Sequence, residues 1–444
     1  MLTPELLTAD QQNGIDRLYE HDHTLLVGKM GSGKTIVTLS AIAELLASGT
    51  CKRILVVAPL KVCKTVWKQE AANWSHTAHI TISLCVGNEK ARISSVAERS
   101  QVTVINFENL PWLFKQKAHK NYFDGLVIDE LSKLKAVGGA QFKSIRHHLK
   151  NFVWRVGLTG TPVSEDWAGL FGQMMIVDGG ASLGTRKDKF MTTYFYPTDY
   201  MKYNWELHSW GAAAIATAIS DYVYTLPDYR SELPPVTYET INVVMPPELR
   251  DIYTTLKNDM CVDEVEAANA AVLSGKLQQA SSGFLYVDDG ADTWNISDYR
   301  IDAAIDAIKN SDGPTLLAYW FKADYARLVE RLNTLDIVVG DLSVGDIEVT
   351  CDRWNAGWYD VMLLHPRSAG HGLNLAKGGN RVLWFAPQWS RDLWEQLIAR
   401  VWRRGQTQPV TVTTIMSDAD IDDLVALRVS DKAEFDRLFN TFFS

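Results

Sequence analysis

The sequence predicts an α/β protein of two lobes, each a mostly parallel β-sheet flanked by helices, with a helical insert between them. Two observations support this fold class: short apolar runs alternate with helical stretches up to about residue 170, and a second such series begins beyond residue 310. Both series are rich in β-branched residues, which is typical of parallel strands buried on both faces. A Gly-rich turn directly after the first run is typical of a nucleotide-binding lobe.

The predicted strands form two groups. They are residues 25–27, 54–58, 102–105, 126–129 and 156–159 in the first lobe, and 315–319, 337–339, 361–364, 381–385 and 410–413 in the second. The insert begins at about residue 176 and includes an aromatic-rich stretch (194–210) and a predicted helix (212–222). Because paired prolines disfavour helix, we expect the hinge at Ser231–Pro235, with an N-terminal lobe of residues 1–230 and a C-terminal lobe of residues 231–444.

The first lobe contains a predicted phosphate-binding loop, Gly28–Thr35, between a strand and the helix predicted at 36–42. Glycines in this pattern let backbone N–H groups turn inward around phosphates. Lys34 adds positive charge at the β/γ end, and the Thr35 hydroxyl is placed to hold Mg²⁺. The predicted cradle for a nucleoside triphosphate therefore consists of Gly28, Gly31, Ser32, Gly33, Lys34 and Thr35. The alternative, a Gly-rich turn that binds nothing, is disfavoured by the flanking strand and helix.

Two carboxylates end the strand at 126–129, where ligands bind in open α/β sheets. With a phosphate loop upstream, Asp129 is a candidate magnesium ligand, and Glu130 is a candidate base that orients and deprotonates water. An Asp-Glu pair alone is usually a solvated turn. Gln11, before the first strand, is a candidate partner for an adenine edge, although a single Gln is more often a surface residue.

The C-terminal half carries a basic segment at the end of a predicted helix that is followed by Gly405. Gln396, Arg400 and Arg403 are spaced i, i+4, i+7 and are predicted to share one helix face. Arginines placed in this way supply planar, permanently charged donors to a γ-phosphate. A basic helix end that complements the helix dipole explains the same spacing, so spacing leaves both interpretations open.

These motifs together resemble superfamily 2 helicase-type ATPases. Gln11, GKMGSGKT, Ile128–Lys133 and Leu158–Pro162 occur in that family's order. Details resemble the Swi/Snf branch of double-stranded-DNA translocases, namely Ala58-Pro59-Leu60 followed by Trp67 and Trp74, Ser368–Leu375, and the run from Trp389 to Gln406. Leu131-Ser132 departs from the usual Ala-His, and Trp402 replaces a common His.

The resemblance implies two RecA-like lobes and a nucleic-acid-dependent ATPase that uses ATP and Mg²⁺ and translocates on double-stranded DNA. It implies catalytic roles for Lys34, Glu130, Arg400 and Arg403, the last two as arginine fingers from the C-terminal lobe. It also places Gly372 and Gln396 at the nucleotide. The alternatives are a strand-separating DExH-type helicase on forked or branched DNA or RNA, and an ATP-gated clamp without turnover.

Composition limits the partners and the compartment. A net charge of −9 gives no global attraction for nucleic acid, so DNA binding requires local basic clusters. The candidate phosphate contacts are Lys61, Lys64, Lys133, Lys135, Arg186, Lys187 and Lys377. The five cysteines lack metal-site spacing and indicate reduced thiols. No apolar run approaches the ~20 residues that span a bilayer. Since no signal sequence is evident either, we expect a cytoplasmic protein without a membrane partner, from bacteria or phage-infected cells if the resemblance holds.

Overall fold

A computed structural model describes residues 1–116, 122–163, 166–263, 265–267, 269–287, 292–367, 373–427 and 442–443. The chain divides into two compact units: Met1–Tyr229 with residues 442–443, and Arg230 through residue 427. Each unit contains one large parallel sheet with flanking helices, which confirms the predicted fold class. Within the described residues, no helix is long and apolar enough to cross a membrane.

The first unit is built on a seven-stranded parallel sheet in the order β3-β4-β2-β5-β6-β1-β9. Its strands are β1 His23–Val27, β2 Ile54–Ala58, β3 Ile82–Cys85, β4 Val102–Asn106, β5 Gly125–Asp129, β6 Trp154–Thr159 and β9 Val223–Thr225, with β7 Phe195–Pro197 and β8 Trp205–Leu207 forming a separate hairpin. Its helices are α1 Ala9–Glu20, α2 Lys34–Ser48, α3 Leu60–Thr65, α4 Trp67–Asn73, α5 Glu89–Ala97, α6 Leu110–Lys115, α7 Ala140–Arg146, α8 Gly169–Val177, α9 Lys187–Tyr194 and α10 Gly211–Ile219.

The second unit is built on a six-stranded parallel sheet in the order β10-β19-β18-β15-β17-β16. The strands are β10 Val236–Val243, β15 Thr315–Ala318, β16 Val339–Asp341, β17 Val361–Leu364, β18 Arg381–Trp384 and β19 Val410–Ser417, and two small pairs are β11 Cys261–Val262 with β12 Val265–Glu266 and β13 Phe284–Val287 with β14 Asp292–Asn295. The helices are α11 Pro247–Asp259, α12 Ala270–Ser281, α13 Tyr299–Lys309, α14 Lys322–Leu332, α15 Ile347–Asn355 and α16 Arg391–Val401.

Both faces of the first sheet are covered, as the apolar strand sequences predict. Leu25 and Val27 of β1 point into one hydrophobic cluster, and Leu26 points into the cluster on the opposite face. Alternate residues of a strand face opposite sides, so a strand buried on both sides needs a continuous apolar run. The polar residues that follow each strand then collect at the carboxyl edge of the sheet.

The insert is less uniformly helical than predicted. It contains the antiparallel hairpin β7–β8 between α9 and α10. After α10 the chain returns to the main sheet, where β9 pairs in parallel with β1. This three-residue strand is too short to show a hydrophobic period, which explains why the sequence did not reveal it.

Candidate functional site

The predicted phosphate loop connects β1 to α2 with the expected geometry. Gly33 is the N-cap of α2 and has left-handed backbone angles, φ 87° and ψ 20°, and Gly31 has φ 81°. A Cβ atom at position 33 would lie only 2.2 Å from Nε2 of Gln11. Glycine is therefore required there by both backbone conformation and space. The first N–H groups of α2 are left for an anion at this helix start.

Lys34 lies inside this loop. Its ammonium group donates to the carbonyl oxygen of Gly28 and to that of Lys29, the latter at 3.2 Å. Burial lowers the pKa of Lys34, and the nearby negative charges of Glu130 and Asp129 oppose that shift. The predicted lysine is therefore close enough to both predicted carboxylates for their opposite charges to attract one another.

The loop interior fits a phosphate group. Ser32 Oγ is buried and has no hydrogen-bond partner among the described residues. A Cβ atom at Gly28 would lie 2.6 Å from that hydroxyl and would close the cradle. Buried hydroxyls normally have partners, so an orphaned one inside an anion-binding turn is chemically suited to a phosphate oxygen.

Tyr229 supports the outer side of the loop, a contact that the sequence did not predict. Its phenol donates to the carbonyl oxygen of Met30 at 2.7 Å. A Cβ atom at Gly31 would lie 2.3 Å from the same phenol oxygen, so Gly31 makes this approach possible. Tyr229 is placed here because β9 pairs with β1 and Leu226 N–H donates to Val27 at 2.8 Å.

Gln11 also contacts the phosphate loop, at a different residue from Tyr229. Its side chain and Thr8 form a capping box at the start of α1, with Thr8 N–H donating to Oε1 at 3.0 Å. Its Nε2 donates to the carbonyl oxygen of Ser32 at 3.2 Å. Both ends of the amide are therefore used within the protein, and the contact with an adenine edge stays a prediction.

Asp129 and Glu130 lie at the carboxyl end of β5, and β6 separates β5 from β1. The buried indole of Trp67 donates to Oδ2 of Asp129 at 3.0 Å. Burial raises the pKa of Asp129, while the charge of Lys34 and the Trp67 hydrogen bond lower it. Glu130 has left-handed angles, φ 70° and ψ 58°. A non-glycine residue in that conformation costs about 1–3 kcal/mol and is typical of functional positions.

The predicted Leu158–Pro162 turn lies beside the phosphate loop. Gly28 N–H donates to the carbonyl oxygen of Thr159 at 3.0 Å, and Thr161 N–H donates to the Thr159 hydroxyl at 3.2 Å. This placement follows from the pairing of β1 with β6, in which Val27 is opposite Thr159.

The donor set fits magnesium that is held largely through phosphates. Within the described part of the chain, no three His, Cys, Asp or Glu side chains are grouped to hold a metal ion. Mg²⁺ is usually bound by one or two protein oxygens together with substrate phosphates and water. Asp129 and the Thr35 hydroxyl are the residues that would supply those oxygens here.

In the second unit, α16 begins at Arg391 and is capped by Ser390, whose hydroxyl accepts Leu393 N–H at 3.3 Å. The helix ends at Val401, so Arg403 lies beyond it, and the prediction that Gln396, Arg400 and Arg403 share one helix face is wrong for Arg403. The backbone leaves the helical conformation at Trp402, which has φ −87° and ψ 82° and whose indole donates to the carbonyl oxygen of Pro234 at 2.8 Å.

Residues 400–406, which include Arg400 and Arg403, pack against residues 373–379 of the same unit. Arg403 Nη1 donates to the carbonyl oxygen of Leu373 at 3.1 Å, and Leu375 N–H donates to that of Arg400 at 3.0 Å. Gln406 Nε2 donates to the Ala376 carbonyl at 2.9 Å. Arg400 is 4% exposed and Gln396 is half-buried. Gly372 lies outside the described residues.

The basic residues predicted to contact phosphates differ in their position in the sheet, their exposure and their ion pairs. Lys61 and Lys64 follow β2, and Lys133 and Lys135 follow β5, its neighbour in the sheet, so all four are at the carboxyl edge. Lys187 and Lys377 are exposed. Arg186 forms an exposed ion pair with Asp188 at 2.5 Å.

Arg367 was not among the basic residues predicted from the sequence, although it also follows a strand of the second sheet. The Arg367 guanidinium lies 4.9 Å from the Trp320 ring centroid, and His365 stacks on that ring at 4.9 Å. These residues follow β15 and β17, which are neighbours in the second sheet.

Comparison with known proteins gives a consistent result. The family model of the SNF2-related domain matches residues 10–288. The putative protein p41 of Acyrthosiphon pisum secondary endosymbiont phage 1 is 31% identical over 428 residues, which cover 91% of each chain. The RAD54-like DNA repair and recombination protein of Drosophila persimilis is 23% identical, and the match covers 97% of this chain but only 63% of that protein. The SWI2/SNF2 ATPase core of Sulfolobus solfataricus in complex with dsDNA is 18% identical, with a TM-score of 0.46 and coverage of 97% and 92%.

Proposed function

This chain belongs to the SNF2-related family, and from that premise we propose that it is a motor that hydrolyses ATP and translocates on double-stranded DNA, remodelling DNA or protein–DNA complexes. The observation that carries the proposal is the carboxyl edge of the first sheet. There, the phosphate loop follows β1, and Asp129 and Glu130 lie at the end of β5 in the same sheet, close enough for their negative charges to attract the Lys34 ammonium group. Such a combination is suited to cleavage of a phosphoanhydride.

ATP binding is assigned to the Gly28–Thr35 loop. Phosphate oxygens would accept hydrogen bonds from the first N–H groups of α2 and from Ser32 Oγ, which otherwise has no partner. Lys34 would exchange its bonds to loop carbonyls for bonds to phosphate. Bound magnesium, held by Thr35 and Asp129, would neutralise phosphate charge.

Glu130 is assigned to orient the attacking water and to accept its proton. Asp129, whose Oδ2 accepts the Trp67 indole N–H, is assigned to magnesium instead. We assign Arg400 and Arg403 to stabilise charge on the γ-phosphate when the two units close on ATP, and Gly372 and Gln396 to contact the nucleotide. Turnover would then depend on closure, as it does in enzymes whose site is completed by a conformational step.

The DNA partner is supported by the basic residues at the edge of the first sheet and by the relative that is named a DNA repair and recombination protein. Lys61, Lys64 and Lys133 follow two neighbouring strands and would contact phosphates, which position a duplex without reading its sequence.

The proposal predicts ATP hydrolysis that duplex DNA stimulates strongly and that salt suppresses. The affinity of a protein for DNA that depends on about six phosphate contacts falls by about 10³ when the salt concentration rises from about 50 to about 200 mM. Phosphate release is measured with blunt duplex, single-stranded DNA, forked DNA and RNA. Triplex displacement without unwinding is the expected result for a translocase. Equal turnover with and without DNA would refute the proposal, and unwinding would indicate the strand-separating alternative.

Tyr229→Phe is expected to weaken ATP binding by about 2- to 12-fold, the equivalent of one lost hydrogen bond. The phenol fixes the Met30 carbonyl and therefore the shape of the phosphate loop. Nucleotide affinity is measured by titration, with Tyr19→Phe on the exposed part of α1 as the matched control. Unchanged affinity in Tyr229→Phe would show that the loop keeps its shape without this bond.

A further inference from the structure

The hairpin β7–β8 has no part in the nucleotide site described above. Its strands pair from Phe195 with Leu207 to Pro197 with Trp205, and residues 198–204 form the connecting tip. It lies between α9 and α10 and belongs to neither large sheet. The aromatic-rich stretch of the sequence coincides with this hairpin.

The tip exposes large apolar side chains to solvent. Tyr200 is 97% exposed, Tyr203 79% and Met201 63%. Single exposed apolar residues are ordinary, but these three lie within four positions and form a patch. Because their side chains stay in contact with water, they do not stabilise the fold by burial. Such patches usually mark a surface for a partner.

The tip is nevertheless fixed by hydrogen bonds. The Asp199 carboxylate accepts the backbone N–H groups of Tyr203 at 3.0 Å and of Asn204 at 2.5 Å. The Trp205 indole donates to the carbonyl oxygen of Lys202 at 2.9 Å, and Thr198 N–H donates to that of Asn204 at 3.0 Å. The exposed rings are therefore held on a defined turn.

The base of the hairpin is also ordered. The His208 and Trp210 rings stack, with centroids 5.1 Å apart and an interplanar angle of 8°. The Tyr196 phenol donates to Glu206 at 2.6 Å. A rigid base and a fixed tip keep the ordering cost of binding small.

The segment that carries the hairpin is less acidic than the chain as a whole: residues 186–208 contain four Lys or Arg and three Asp or Glu, against 44 and 53 in the full sequence. Lys202 lies at the tip, and Lys187 and Lys189 are exposed on α9, which leads into β7. Of the three acids, Asp188 pairs with Arg186, whereas Asp199 and Glu206 accept hydrogen bonds from neutral donors and keep their negative charge. Exposed aromatic rings beside lysines match the chemistry of unpaired nucleobases beside phosphates.

We propose that the hairpin tip binds unpaired bases of DNA, with Tyr200 and Tyr203 stacking on bases and Lys202 near the phosphates. This inference rests on the proposed function for its choice of DNA and adds a preference for substrates in which a duplex meets unpaired strands. The exposed aromatic faces require bases out of the helical stack, because paired bases present only their edges in the grooves.

The test compares binding to a fork and to a blunt duplex with the same number of nucleotides, by fluorescence anisotropy without ATP. The whole protein is expected to prefer the fork. A variant combining Tyr200→Ser and Tyr203→Ser is expected to lose at least about 5- to 150-fold in fork affinity, the equivalent of one of the two stacked bases, with blunt-duplex affinity unchanged. Tyr200→Phe with Tyr203→Phe keeps the rings and should keep the preference.

Trp358→Ser, which changes a 63%-exposed ring in the second unit, is the matched control and should bind both DNAs normally. Equal affinity of the unmodified protein for both DNAs, or an unaffected Ser variant, overturns the inference. A Ser variant that changes the sedimentation coefficient instead also overturns it, because the tip would then bind another copy of the chain. Failure of duplex-stimulated ATP hydrolysis is a separate readout and would refute only the proposed function.

Discussion

Glu130→Gln is expected to abolish ATP turnover while leaving ATP binding intact. The amide has nearly the shape of the carboxylate but does not accept a proton from water at neutral pH, so the loss should reach at least about 10²–10⁴ in kcat. Phosphate release and nucleotide binding are measured on the same preparation. The matched control is Glu20→Gln, an exposed residue at the end of α1. Turnover within a few-fold of normal in Glu130→Gln would remove the assignment of Glu130 as base.

The backbone at this position offers a second measurement. Glu130 has φ 70°, a conformation that glycine adopts without strain. Glu130→Gly should therefore be as inactive as Glu130→Gln but should unfold at a higher temperature than Glu130→Ala, because both variants lack the carboxylate and only glycine relieves about 1–2 kcal/mol of strain against a smaller cost in chain entropy. An unfolding temperature equal to or below that of Glu130→Ala would show that the backbone at this position is not strained.

Arg403→Ala is expected to lower kcat by roughly 10³ or more while ATP affinity changes little. An arginine that stabilises charge only in the transition state affects turnover and spares ground-state binding. Arg403→Lys should remain strongly impaired, since an ammonium group cannot reproduce the planar, two-pronged donor. The exposed neighbour Arg404 supplies the matched control, Arg404→Ala.

Structural loss at Arg403 must be separated from catalytic loss. Arg403 Nη1 donates to the Leu373 carbonyl, so its removal also deletes a contact inside the second unit. Thermal unfolding and nucleotide titration of each variant measure that part. Normal kcat in Arg403→Ala would end the arginine-finger assignment, as would a loss of activity fully explained by unfolding.

The central strands could be predicted from the sequence because each is a continuous apolar run. Residues 54–58, for example, form β2 with the predicted bounds, and every residue of that strand is buried. The boundary at the end of α16 was missed because the spacing of Arg400 and Arg403 is equally compatible with a longer helix. The helix ends where Trp402 contacts Pro234, and this contact joins residues that lie 168 positions apart.

The support around the phosphate loop was also beyond prediction. Trp67 binds Asp129 across 62 positions, and Tyr229 binds Met30 across 199. Trp67 belongs to the segment that resembles the Swi/Snf branch, but that resemblance does not indicate its hydrogen-bond partner, and Tyr229 belongs to no motif identified in the sequence. Each is placed by the sheet, since β2 lies beside β5 and β9 lies beside β1.

The sequence by itself determined that the Gly28–Thr35 loop joins a strand to a helix, that Asp129 and Glu130 lie at the end of a buried strand, and that the fold has two parallel sheets. Those features depend on residues that are adjacent or regularly spaced, so local backbone preferences and alternating burial suffice to specify them. Only the tertiary structure decided which side chains hold the loop and Asp129, where α16 ends, and that an ordered hairpin exposes Tyr200 and Tyr203. Those outcomes depend on strand pairing and on contacts between distant segments, whose energies no local pattern records.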